Sequence, residues 1–258
     1  MRITVLGCWA PYPRAGGACS GYLVQDGNSY VVIDMGNGTF SNLSRLFDFR
    51  TVRAAVLTHL HPDHCADIEC LRHAIEGSLK DGSRRQGPVT LLLPGQPQEL
   101  AARFAGYRQA FDPVFIEDLP LETVPPGVEA RVFEIGPVRY YFLPAKHSLP
   151  SYAVGVEGSG YCVFSGDTAP TDELALFAEK AGIFFCEASG LDRDSDYLRG
   201  THMTARQAGE LARRAKVKEL IITHFWPEYD LEDLRAQAQE GYGGRVEVAT
   251  EGDTYFVY

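Results

Sequence analysis

The chain has 258 residues, 45% of them hydrophobic, so it can bury a sizeable core, and one domain over residues 1–258 is the simplest organisation. With 24 Lys and Arg against 34 Asp and Glu the formal net charge is −10. This argues against a basic stripe for a long polyanion, since the densest basic pairs are Arg84-Arg85 and Arg213-Arg214. No run approaches the roughly 18 consecutive apolar residues needed to cross a bilayer, so no membrane-spanning helix is expected.

The start, Met1-Arg2-Ile3-Thr4-Val5-Leu6-Gly7, reads as a strand rather than a signal peptide, and a cytoplasmic protein is expected. Strand-like runs follow at 21–25, 30–34 and 54–58, separated by Gly, Pro and Asn turns. The last run leads directly into His59-Leu60-His61-Pro62-Asp63-His64, where three of the seven histidines and a carboxylate fall within six positions. Imidazole nitrogens and carboxylate oxygens at that density are ligands for Zn²⁺, Fe²⁺ or Mn²⁺. In an extended loop His59 and His61 point the same way, while Asp63 and His64 turn toward a second centre, so the spacing suggests two ions.

A helix is expected over 67–79, because Ile68, Leu71, Ile75 and Leu79 recur at three- and four-residue spacing; His73 on it reads as a solvated histidine. A loop at 82–88 precedes a second β region at 89–93 and 130–143. Residues 96–128 carry no assignable role. Within them, 106–115 reads either as a surface connection or as an insertion that shapes the substrate site. The third region alternates strands at 152–156, 161–165, 183–186 and 220–223 with helices at 172–180, 205–216 and 231–239, and ends in strands near Val246 and Tyr255. Thr204 and Gln207 form a capping box for the helix at 205–216. Strands, helix, strands and helices in this order predict an α/β protein, a four-layer αββα arrangement with two sheets between helices.

A dinuclear site needs further ligands, and the chain offers His147, Asp167, His202 and His224. His147, Asp167 and His224 each follow a strand-like run, so they can converge on one rim. For His147 or His224 alone, a buried hydrogen-bonded histidine is the competing reading; beside the six-residue cluster the ligand reading is preferred. Asp167 can give one oxygen to each ion. Asp34 and Asp172 are candidates to hydrogen-bond the ligand imidazoles, Asp34 the better placed. The six cysteines lack a Cys-x-x-Cys pair and read as free thiols. Cys65 follows the cluster, but the imidazoles and carboxylates already complete the ligand set.

These residues resemble the metallo-β-lactamase-fold hydrolases, whose signature is a His-x-His-x-Asp-His loop followed by a His, an Asp and a His, and the resemblance spans nearly the whole chain. It implies a four-layer αββα sandwich of two mixed sheets in similar halves. It also implies two divalent ions, Zn²⁺ first and Mn²⁺ or Fe²⁺ as alternatives. His59, His61 and His147 would hold one ion, Asp63, His64 and His224 the other, and Asp167 would bridge them. Three segments are similar to the ribonuclease Z branch of phosphodiesterases: Phe164-Ser165-Gly166-Asp167-Thr168, Cys186-Glu187-Ala188-Ser189 and His202-Met203-Thr204-Ala205. That likeness implies His202, supported by Glu187, beside the substrate phosphate; helix capping at the surface is the competing role. The relatives often form homodimers.

Two ions sharing a water lower its pKa from about 15.7 toward 7, so a bridging hydroxide is the expected nucleophile, with Asp63 orienting it and His202 as acid. The expected function is a metal-dependent phosphodiesterase on a small or nucleotide-like substrate. A tRNA 3′-end ribonuclease is disfavoured. Only nineteen residues separate His147 from Asp167, too few for that branch's tRNA-clamping arm, and Phe225-Trp226-Pro227-Glu228 replaces its polar and basic residues. Hydrolysis of a carboxylic ester or lactone remains an alternative, with Phe225, Trp226 and Tyr229 lining an apolar pocket.

Overall fold

Short apolar runs too brief for helices become the strands, and the computed structural model describes all of residues 1–258. The first half runs β1 (Arg2–Gly7), β2 (Gly21–Asp26), β3 (Ser29–Ile33), α1 (Thr39–Leu46), β4 (Ala54–Val56), α2 (Pro62–Cys65), α3 (Ile68–Lys80), β5 (Val89–Leu93), α4 (Gln98–Ala105) and β6 (Phe111–Phe115). The second half begins with β7 (Leu121–Val124), β8 (Val128–Ile135), β9 (Val138–Ala145), β10 (Ser151–Glu157), β11 (Tyr161–Phe164), α5 (Asp172–Phe177) and β12 (Ile183–Glu187). It ends with α6 (Ser195–Leu198), α7 (Ala205–Ala215), β13 (Leu220–Thr223), α8 (Leu231–Tyr242), β14 (Val246–Val248) and β15 (Thr254–Phe256).

Two mixed sheets result, in the orders β15-β1-β2-β3-β4-β5-β6 and β14-β13-β12-β11-β10-β9-β8-β7. Each is antiparallel on one side and parallel on the other, with parallel pairing from β3 through β6 and from β11 through β14. The parallel strands β4, β12 and β13 are buried at every residue, as expected for strands covered on both faces. Tyr22, Phe164 and Phe185 interlock at the sheet interface, Phe164 stacked on Phe185 at 4.9 Å. Leu71 and Ile75 of α3 share one buried cluster with Val32, Leu57 and Leu91, and Leu211 and Ala212 of α7 belong to the other. This is the αββα order read from the sequence.

Several local readings change. The β region at 130–143 is a hairpin, β8 and β9, reversed at Gly136, whose φ of +62° suits glycine. The 96–128 segment contains α4, β6 and β7. At 106–115 it is neither a surface connection nor a substrate-shaping insertion, because β6 pairs with β5 as the last strand of its sheet and Pro113 is tolerated at that edge. Arg84 is not a surface charge. It is 3% exposed and donates to the carbonyls of Gly87, Arg50 and Val52 at 2.6, 2.6 and 2.9 Å, tying the loop before β5 to the turn before β4. All six cysteines are free, and no helix is long and apolar enough to cross a membrane.

Candidate metal centre

The putting-together of the site begins at strand ends. After β4 the chain bends at Thr58 and runs to His61, whose backbone is extended, before Pro62 opens α2 and places Asp63 and His64 in its first turn. The loop is anchored from behind, where Met35 N–H donates to His64 O at 2.7 Å and Asp67 N–H to Met35 O at 2.8 Å. Gly36 permits this approach, since a Cβ there would lie 2.0 Å from Asp63 O. His147 lies between β9 and β10. Asp167 follows β11 after Gly166, whose φ is +57°, and His224 follows β13 with its own φ at +61°. A non-glycine in the left-handed region at a site is a local cost borne by the surrounding structure.

The side chains meet in two groups. His59 Nε2 and His147 Nε2 lie 3.0 and 3.1 Å from His61 Nδ1, and 3.5 and 3.8 Å from Asp167 Oδ2. His64 Nε2 and His224 Nε2 lie 3.1 and 3.0 Å from Asp167 Oδ1, and 3.8 and 3.6 Å from Asp63 Oδ2. Asp167 therefore turns one oxygen to each group. Both groups are able to hold a metal ion.

The donor set fits metal on the structure's own terms. His64 Nε2, His224 Nε2 and Asp167 Oδ1 are buried and make no hydrogen bond despite their proximity. Such orphaned buried atoms cost about 1–3 kcal/mol each unless another partner takes them. Nitrogens bound tetrahedrally to zinc at about 2.0–2.1 Å sit roughly 3.3 Å apart, close to the spacing among His59, His61 and His147.

Hydrogen bonds from behind fix which ring nitrogen faces inward. His64 Nδ1–H donates to Asp34 Oδ2 at 2.7 Å, His147 Nδ1–H to Thr201 O at 2.8 Å, and His224 Nδ1–H to Ser189 Oγ at 2.8 Å. His59 Nδ1–H reaches Thr58 Oγ1 at 3.1 Å, and Thr58 donates onward to Asp34 at 2.9 Å. Asp34 thus holds two of the candidate ligand imidazoles, His64 directly and His59 through Thr58. Asp172 does not join the site, because it is exposed and paired with Arg214. Cys65 is in neither group, and burial pushes its thiol up to about 12.

Burial lowers the pKa of His59, His61 and His147 below the usual imidazole value, which keeps them neutral as ligation requires. Burial opposes ionisation of Asp167, but His224, His64 and His59 outweigh it and hold the carboxyl well below its ordinary range. Burial likewise opposes charge on His224, yet Asp167 and Asp63 raise it to about 10. A cation held among those carboxylates would take the place of that proton.

His202 and Glu187 stand beside the two groups. His202 Nδ1–H faces Glu187 Oε2 at 3.1 Å, and that carboxylate also accepts Thr168 N–H and Ser189 Oγ–H, each at 2.5 Å. With its oxygens so engaged, Glu187 holds the His202 ring. Burial disfavours charge on His202, but the Glu187 carboxylate overrides it and raises the imidazole pKa. Helix capping belongs to Thr204, which accepts from Gln207 N–H, and His202 lies outside the cap. His73 is exposed on α3.

A cleft of about 410 Å³ opens over the centre, with His61, Asp63, Asp167, His202 and His224 on its floor. Its wall includes Pro11, Tyr197 and Trp226, and no Lys or Arg lines it. Sequence reading gave no role to Ser189, Thr201 or Tyr197. Ser189 carried a signal, two residues after Glu187 in a segment already singled out, whereas Thr201 acts through its backbone carbonyl and leaves none.

The β-lactamase superfamily domain matches residues 29–225. The chain is 30% identical over 260 residues to the probable metallo-hydrolase YhfI of Bacillus subtilis, covering 98% of each. The crystal structure of YhfI superposes with a TM-score of 0.88 over 98% of both chains at 26% identity. Ribonuclease Z of Myxococcus xanthus is 27% identical over 302 aligned positions, covering 98% of this chain and 97% of that protein. A diphosphatase of the PhnP family shares the fold at a TM-score of 0.72 and 17% identity, covering 100% of this chain and 98% of that one. On the match across most of its length and on its likeness to YhfI, this chain belongs to the β-lactamase superfamily of metallo-hydrolases.

Proposed function

We propose that the protein is a dinuclear, metal-dependent phosphodiesterase acting on a small or nucleotide-like phosphodiester, with Zn²⁺ the favoured ion. The observation that carries this reading is Asp167, whose two oxygens face separate histidine groups while His202 borders the same cleft. His59, His61 and His147 would hold one ion, and Asp63, His64 and His224 the other. When bound, two such ions supply positive charge for phosphate oxygens and acidify water at neutral pH.

The chain's own groups do the rest. Asp63, on the cleft floor, accepts a hydrogen bond from the attacking water and aims it at phosphorus. His202, held through Nδ1 by Glu187, presents Nε2 to the leaving oxygen and protonates it as the P–O bond breaks. The absence of Lys and Arg from the cleft leaves charge neutralisation to the ions, which suits one phosphodiester better than a polyanion.

The similarity to ribonuclease Z supports the phosphodiester bond as the target. Against a tRNA substrate, the alignment of 302 positions exceeds this chain's 258, so that relative has segments this chain lacks. Here β10 and β11 are joined through Gly158–Gly160 alone, with no arm. Six free thiols accord with a reducing, cytoplasmic setting. The test is a rate comparison of Zn²⁺-loaded protein on bis(p-nitrophenyl) phosphate, a lactone and a precursor tRNA. The phosphodiester is expected to be fastest, and a faster lactone or tRNA overturns the reading.

A further inference from the structure

From the floor of the cleft the wall rises to an aromatic surface. Trp226 lies two residues beyond His224, and its ring centroid is 6.2 Å from that of Tyr197, with 45° between the planes. Tyr197 is 75% exposed on α6, an exposure that burial of apolar surface disfavours. Trp226 is braced: its Nε1–H donates to Tyr12 Oη at 3.3 Å, Tyr12 donates to Glu228 at 2.7 Å, and Tyr229 meets the indole edge-on at 5.9 Å. Arg14 fixes the turn by donating to the carbonyls of Pro227 and Tyr229 at 2.8 and 2.7 Å.

Resting on the phosphodiesterase reading, we infer that Trp226 and Tyr197 form a subsite for a planar base, so that the substrate is a nucleoside phosphodiester rather than an alkyl one. The phosphate position is fixed by the two ligand groups, and the same cleft runs from there to these rings. Stacking is the recognition these rings offer: no Lys or Arg lines the cleft, and a π-face tolerates any base. The rings stand too close to sandwich a base, so the base stacks on one face of the pair and covers the exposed Tyr197 ring.

The experiment compares p-nitrophenyl thymidine 5′-phosphate with p-nitrophenyl methyl phosphate, which share a leaving group, using Zn²⁺-loaded protein. Wild type is expected to favour the nucleoside ester at least tenfold in kcat/KM. Trp226→Ala and Tyr197→Ala are each expected to reduce that preference about tenfold, and Trp226→Phe to retain most of it. Because Tyr197 is exposed, its truncation tests stacking without disturbing the fold. An unchanged preference in both alanine variants overturns the subsite, as does an equal loss on both esters. If neither ester is hydrolysed, the phosphodiesterase reading fails, and calorimetric binding decides the subsite separately. Thymidine 5′-monophosphate binding at least tenfold tighter than ribose 5-phosphate, lost in Trp226→Ala, supports it; equal affinities overturn it.

Discussion

Ser189 Oγ accepts a hydrogen bond from His224 Nδ1 at 2.8 Å and passes its own proton to Glu187 at 2.5 Å. One hydroxyl therefore joins a candidate ligand histidine to the carboxylate that holds His202. Removing it leaves His224 Nδ1 without its acceptor and takes one of several donors from Glu187. Ser189→Ala is expected to weaken zinc affinity ten- to hundredfold in chelator competition, and Ser189→Thr to restore it. Wild-type affinity in the alanine variant would show that the relay does not orient His224.

Asp34 sits at a φ of +59° and accepts from Thr58 N–H, Thr58 Oγ1–H and His64 Nδ1–H. Asparagine tolerates that backbone conformation but brings an amide N–H against His64. Asp34→Asn is expected to fold normally and bind zinc ten- to hundredfold more weakly. Unfolding seen by circular dichroism would assign Asp34 to the scaffold instead.

His202→Ala removes a group that borders the cleft and packs against His147 and His224 but belongs to neither proposed ligand set. Turnover of bis(p-nitrophenyl) phosphate is expected to fall tenfold or more with metal content intact. Full turnover would eliminate His202 as the acid.

Asp167→Ala takes one oxygen from each group and would leave two bound cations facing one another with no carboxylate between them. Metal analysis after dialysis is expected to find at most one ion per chain. Two tightly held ions would rule out a bridging Asp167.

Arg84 is buried with only backbone carbonyls for partners. Arg84→Met leaves those acceptors unsatisfied and is expected to cost about 2 kcal/mol of stability in urea unfolding. A loss below a few tenths would mean that water replaces the guanidinium.

Strands were legible where apolar runs ended in Gly, Asn or a ligand, and β5 and β13 match their expected bounds. The misses share a cause. Helix α1 is rich in Ser, Thr and Asn and has no cap of its own. Its Phe40 N–H is satisfied by Asp67, 27 residues away, a partner that local pattern cannot supply. Strand β6 contains Pro113, which argues against a strand until its edge position is known.

The seven ligand candidates were set by the sequence alone, because affinity for divalent metal is a property of imidazole and carboxylate and strand ends bring such groups to one rim. Tertiary structure decided which nitrogen of each ring faces inward and which oxygen of Asp167 faces which group. Those choices rest on hydrogen bonds to Asp34, Ser189 and the Thr201 carbonyl, up to 54 residues from the rings they hold. An orientation fixed by a distant partner has no periodicity to read; it exists only once the chain has folded.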